Sequence, residues 1–331
     1  MQARTYSLAL IAAAMGFFLA TVALNVIADP EAVLGTGLLG PSLNPNDRVL
    51  KMRAYGAESA SYDGLVFGSS RSGVITSNLL SARLGGAKFA HLGVSAGSIV
   101  DYEAMLEFVV RSKVARGEVL RSVFLLLDAD LFGSRPLANS TIQTWWPPAL
   151  TGESSWRFTW RYLVAIQPKA WRSQIVNAWP ITRTAMRATD AWRGWSVASA
   201  AESTSVAAPP KEGVALEKII DRRDFSRELA LLQRFVALCR THNIALTVAL
   251  SPLHRDNAMM YDPDDLADVV TRIAAVVPVW DFGAPEWLSA RSDLWIETSH
   301  FKAEVANMML DRIFAGGSPA APPDFGVLRG N

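Results

Sequence analysis

The chain has 331 residues, half of them apolar, enough to bury a large core and too many for a disordered scaffold. A formal net charge of +1 excludes the global basic footprint on which nucleic-acid binding relies. The single cysteine, Cys239, excludes an internal disulfide framework and a cysteine-based metal cluster.

In chain order, the first element is an apolar run. No charged residue occurs from Tyr6 to Ala28, a length close to the roughly 20 residues that a membrane-spanning helix needs. Arg4 precedes the run and Asp29 and Glu31 follow it, which favours an inner-membrane, single-pass anchor with the C-terminal bulk in a periplasm. Cleavage after Ala28 competes with an uncleaved anchor over residues 1–28. Residues 29–47, rich in glycine and proline, read as a linker.

From Arg48 onward, short apolar runs alternate with helical patterns. "GLVFG" (64–68), "AKFAHLG" (87–93), "SVFLLLD" (122–128), "IALTVALS" (244–251) and "VPVWDFG" (277–283) read as strands buried on both faces. Helical spacing marks "SGVITSNLLSARLGG", "DYEAMLEFVVRSKVARG", "SRELALLQRFVALCRTHN", "PDDLADVVTRIAAV" and "KAEVANMMLDRIFAGG". Cys239, in the third of these, reads as a small buried hydrophobe. The alternation predicts a three-layer α/β/α domain over 48–133 and 214–316, with a mostly parallel sheet, and a tail over 317–331.

Residues 134–213 interrupt the alternation and read as a helical cap with a flexible return. Trp156, Trp160, Trp171, Trp179, Trp192 and Trp195 are interleaved there with arginines. Tryptophans at helical spacing are most often core, but exposed ones would stack on sugar rings or sit at a membrane interface.

Ligands of such sheets bind beyond the carboxyl ends of the strands. That rule gathers Ser69 and Ser70, Gly93 to Ser98, Asp128 and Asp130, and Pro252 to His254 at one edge. A serine attacks acyl groups only when a base takes its proton. Of four histidines, His242 sits at the opposite edge and His91 inside a strand, leaving His254 and His300. His300 lies in "DLWIETSHFKAE", three residues after Glu297, a spacing that lets the acid reach back to the imidazole. The plain alternatives are that Ser70 is only a helix cap and that Glu297 and His300 form a surface pair. His254 is either a second ligand contact or a surface histidine. Asp128 and Asp130 lack a histidine at metal spacing, so no metal is expected, nor any cofactor.

"VFGSSRSG", "HLGVSAGS" and "IETSHF" together resemble the SGNH, or GDSL-like, hydrolase superfamily. The closer likeness is to its membrane-anchored extracytoplasmic branch, which includes alginate O-acetylation proteins and the teichoic-acid D-alanylation protein. The resemblance spans roughly 62–134 and 216–315 as a pattern and leaves the tryptophan-rich insertion unexplained. It implies a flavodoxin-like sheet and makes Ser70 the nucleophile, His300 the base and Glu297 the orienting acid. It also implies oxyanion donors in the amides of Ser70 and Gly93; Ser69, Asp128 and His254 are candidate substrate-binding residues by their place at the same sheet edge, with Asp128 and Asp130 read as hydrogen-bonded loop carboxylates. The implied substrate is a polysaccharide carrying acyl, usually acetyl, groups, and the implied partner is a membrane-bound O-acyltransferase. Three departures stand out: Ser69 replaces the usual aspartate, Asp128 or Asp130 replaces an oxyanion asparagine, and Glu297 replaces aspartate. A non-catalytic glycan-binding or scaffolding subunit is the alternative.

Overall fold

The computed structural model describes residues 2–40, 42, 45–130, 132, 145–177 and 225–330. Trp179, Trp192, Trp195 and the expected flexible return lie outside the described residues.

The first part of the chain forms helix α1 (Gln2–Ala28), α2 (Asp47–Glu58), strand β1 (Gly64–Phe67), α3 (Ser77–Arg83), β2 (Phe89–His91), α4 (Ile99–Ala115) and β3 (Ser122–Leu127). Three helices follow, α5 (Pro148–Thr151), α6 (Ser155–Leu163) and α7 (Pro168–Asn177). Then come α8 (Ser226–Thr241), β4 (Ala245–Leu250), α9 (Arg255–Ala258), α10 (Pro263–Val276), β5 (Val279–Asp281) and α11 (Glu286–Ser289). The last elements are β6 (Trp295–Glu297), β7 (His300–Phe301), α12 (Ala303–Ala315) and β8 (Val327–Arg329). Two compact units result, one of residues 1–53 and 139–189, the other of 54–138 and 190–331.

The second unit is the α/β domain. Its sheet has the order β2-β1-β3-β4-β5-β8, parallel except for β8, which pairs antiparallel with β5. Leu65, Val66 and Phe67 in β1 and Leu125 and Leu126 in β3 are fully buried, as central strands covered on both faces require. Cys239 is buried in α8, where loss of solvent pushes its thiol up to about 12 and leaves it an inert hydrophobe. The chain steps outward from β1 to β2 and returns to β3, so the strand order reverses between β1 and β3, the place where sheets of this kind bind ligands at the carboxyl ends of their strands.

Two elements differ from the expectation. The tail expected over 317–331 contributes β8, whose residues are exposed at the sheet edge and carry no burial pattern to betray them. Residues 295–301 form a two-stranded hairpin whose register sets Glu297 opposite His300.

The first unit holds α1, the segment expected to be a linker, and the described part of the insertion. The linker is packed rather than loose: the Asp29 carboxylate accepts the amides of Leu34, Gly35 and Thr36 at 3.1, 2.6 and 3.2 Å and the Tyr162 hydroxyl at 3.0 Å. Val33, Val49, Trp145, Phe158 and Tyr162 form the core of this unit. Among the described residues, one helix is long and apolar enough to cross a membrane, Arg4–Ala28.

Candidate active site

The turn after β1 is held tightly. Ser69, nearly sealed from solvent, accepts the Arg71 amide on its side chain at 3.2 Å, and its carbonyl accepts the Ser72 hydroxyl at 2.7 Å. Gly68 is required by space, since a Cβ there would stand 2.5 Å from the Ser72 Cβ and 3.1 Å from the Leu126 carbonyl oxygen. The backbone therefore leaves β1 at close quarters and lifts Ser70 to the opening of a 3₁₀ turn (Ser70–Val74), where the first amide has no partner within the turn.

The β6–β7 hairpin delivers the other two groups. His300 Nε2 lies 2.7 Å from Ser70 Oγ, and His300 Nδ1 is hydrogen-bonded to Glu297 Oε1. Glu297 Oε2 accepts the Ser299 amide at 2.8 Å. The bond from His300, followed by that amide and by the positive field of Arg71, holds the Glu297 carboxyl below the usual glutamate range. An ionised carboxylate only accepts, so Nδ1 carries the imidazole proton and Nε2 is left to accept from the serine hydroxyl. The three side chains form one relay, hydroxyl to imidazole to carboxylate.

One residue that holds the candidate site together escaped the sequence reading. Arg71, only 6% exposed, donates Nη1 and Nη2 to the two oxygens of Asp130 at 2.5 and 2.8 Å and Nε to the Ser299 carbonyl at 2.9 Å. One guanidinium thus ties the serine turn to the hairpin between Glu297 and His300. Burial opposes its charge, but Asp128 and Asp130 beside it outweigh burial and hold it protonated.

The remaining expected residues fall as follows. Asp128 is buried, and Arg71 Nη1 stands 3.2 Å from its Oδ1, close enough for charge attraction but outside hydrogen-bond geometry, so that oxygen accepts no bond among the described residues. Burial, opposed by Arg71 and reinforced by Asp130, pushes the Asp128 carboxyl up. The Gly93 amide, expected as an oxyanion donor, donates to His91 Nδ1 at 3.3 Å. His91 in turn meets the Ser72 carbonyl through Nε2 at 2.9 Å, so this histidine braces the turn from behind. His254 caps α9, its Nδ1 accepting the Asp256 amide at 3.2 Å, and its ring packs edge-on against Trp295. Neither ring nitrogen of His254 is bonded to Ser70 or His300. A cavity of about 850 Å³ opens beyond β4 and β5, lined by Leu253, Met259, Tyr261 and Leu266 among others, and neither Ser70 nor His300 lines it. Among the described residues no cluster of three or more histidine, cysteine or acidic side chains is placed to hold a metal ion.

No protein-family model matches the chain, and no curated protein matches it significantly.

Proposed function

We propose that the protein is a membrane-anchored, extracytoplasmic acyltransferase or esterase of the SGNH type, acting through Ser70 on acyl groups of a cell-surface or secreted polysaccharide. The observation that carries the reading is the unbroken hydrogen-bonded chain Ser70–His300–Glu297. The sheet order and the position of Ser70 at the reversal between β1 and β3 support it. The polysaccharide, the acetyl group and a membrane-bound O-acyltransferase partner rest on the sequence resemblance alone.

In the first step the Ser70 hydroxyl loses its proton to His300 Nε2 and its oxygen bonds to the acyl carbon; the imidazolium then protonates the departing alcohol. In the second, His300 takes a proton from a sugar hydroxyl or a water, whose oxygen bonds to the acyl carbon; the bond to Ser70 Oγ breaks and the imidazolium returns a proton to that oxygen, regenerating the free serine and neutral imidazole. Glu297 stabilises the imidazolium in both. Exclusion of water decides between transfer and hydrolysis. The apolar helix over 4–28 anchors the chain, with Arg4 on the inner side of the membrane.

One observation favours a second reading, a non-catalytic glycan-binding or scaffolding subunit: the Gly93 amide is engaged by His91 instead of standing ready for an oxyanion. Labelling with a fluorophosphonate separates the two. The catalytic reading expects covalent labelling of the wild type and none of Ser70→Ala; an unlabelled wild type refutes it.

A further inference from the structure

The first unit carries a surface that the proposed chemistry does not use. Residues 4–20 of α1 are all exposed, whereas Asn25 is completely buried. Its Nδ2 donates to the carbonyls of Leu163 and Ala165 at 2.9 and 2.8 Å, and its Oδ1 accepts Trp171 Nε1 at 2.8 Å and Gln167 Nε2 at 3.3 Å. An asparagine in an otherwise apolar helix is costly in lipid unless bonded, and here it clamps the turn between α6 and α7 to α1.

Helix α6 then presents two faces. Phe158 and Tyr162, four residues apart, point into the unit core against Trp145. Trp156 and Trp160, also four apart, lie away from that core at 69% and 42% exposure, and their rings stack on each other. Arg157 and Arg161 flank these faces: both stand beside Glu153, at 3.5 and 3.2 Å, and Arg161 also lies over the Trp145 ring, which leaves the more exposed Arg157 as the one turned to solvent. The tryptophans are not core, as helical spacing alone would have them. Trp160 instead reaches Phe18 of α1, with ring centres 5.9 Å apart. Ile166, Ile175 and Val176 extend the same exposed apolar character along the turn and α7.

Helical geometry fixes the level of this patch. At a rise of about 1.5 Å per residue, a helix entering lipid near Thr5 needs about 20 residues to cross a hydrocarbon layer of about 30 Å, so it emerges near Asn25. Phe18 lies seven residues earlier, hence about 10 Å below that boundary. Interfacial amphipathic helices sit about 5–10 Å into the headgroup and acyl region, with tryptophan at the boundary and basic residues toward phosphate. We infer that α6 and α7 form a cuff seated in the outer interface of the bilayer around α1, with Trp156 and Trp160 among the upper acyl chains and Arg157 beside lipid phosphates. The inference rests on the reading of α1 as a membrane-spanning anchor.

The test reconstitutes the full chain in phosphatidylcholine vesicles containing phosphatidylglycerol, with bromine on the acyl chains either near the headgroup or near the bilayer centre. Flotation on a density gradient is scored first, then tryptophan quenching of the wild type and of W156F/W160F. Because α1 contains no tryptophan, the wild-type-minus-variant signal reports the cuff alone. The expected result is flotation of both proteins and a difference signal quenched strongly by shallow bromine and weakly by deep bromine. Flotation with an unquenched difference signal overturns the cuff while leaving the anchor intact, and would assign the exposed rings to a glycan or a protein partner. Failure to float overturns the anchor and the cuff together. Fluorophosphonate labelling of Ser70 is scored separately, so loss of the catalytic reading leaves the outcome unaffected.

Discussion

Replacing Arg71 probes the join between the two halves of the candidate site. Arg71→Met removes a buried guanidinium that makes two bonds to Asp130 and one to the Ser299 carbonyl, and leaves Asp128 and Asp130 buried without a cation. Breaking a buried pair from one side costs about 3–5 kcal/mol, which for a domain of this size lowers the melting temperature by roughly 6–20 °C. Arg71→Lys keeps a positive charge but has no planar fork. It retains contact with Asp130 and loses the bond to Ser299, a loss of about 1.5–3 kcal/mol. That bond spaces the hairpin from the serine turn, so Arg71→Lys should also slow fluorophosphonate labelling of Ser70 by about 100-fold, the scale of an ångström-sized misplacement of reacting groups. Arg71→Met/Asp130→Asn strands one carboxylate fewer and should recover part of the stability without the labelling rate. The measurements are thermal unfolding in detergent and second-order labelling rates. Unchanged melting and labelling in Arg71→Met would refute the reasoning, because a guanidinium so enclosed cannot be removed silently if it joins the two elements.

Three further outcomes are expected. Glu297→Gln replaces the carboxylate with a neutral amide whose NH2 can donate to His300 Nδ1 and move the imidazole proton to Nε2, and labelling of Ser70 should fall by at least about 100-fold with little change in melting temperature. Asn25→Ala leaves the Leu163 and Ala165 carbonyls and the Trp171 indole without their partner and should cost about 2–4 kcal/mol, read as faster limited proteolysis between α6 and α7. Burial raises the Glu31 carboxyl to about 7, so between about 4.5 and 7 the native state holds a proton that the unfolded chain has released. Stability of the first unit should therefore fall by about 3 kcal/mol as pH rises through that window and stay level above it, and Glu31→Gln should flatten the pH dependence of melting.

The parallel sheet was legible because β1 and β3 to β5 are nearly uninterrupted apolar runs bounded by glycine or polar residues, the pattern of strands covered on both faces. β8 was not, because Val327, Leu328 and Arg329 are exposed and follow a stretch of proline and glycine. The β6–β7 pair has strands of three and two residues, too short for alternation to show, although the Glu297 to His300 spacing already implied that the chain turns back between them. Ser70, Glu297 and His300 were readable as residue types in chain order. Arg71 was not, since an arginine among serines reads as solvent-facing until the two aspartates that enclose it are placed after β3. The tryptophans of the insertion illustrate the limit of periodicity. Trp156 and Trp160 share the four-residue spacing of Phe158 and Tyr162, and only packing shows which pair faces inward.

The hydroxyl and the imidazole that would activate it stand 230 positions apart along the chain. During synthesis the serine turn therefore emerges long before its base. A nascent or C-terminally clipped chain carries an unarmed alcohol, and reactivity appears only after the final hairpin docks. Under the proposed function and outward topology, that delay would keep the serine silent until translocation is finished.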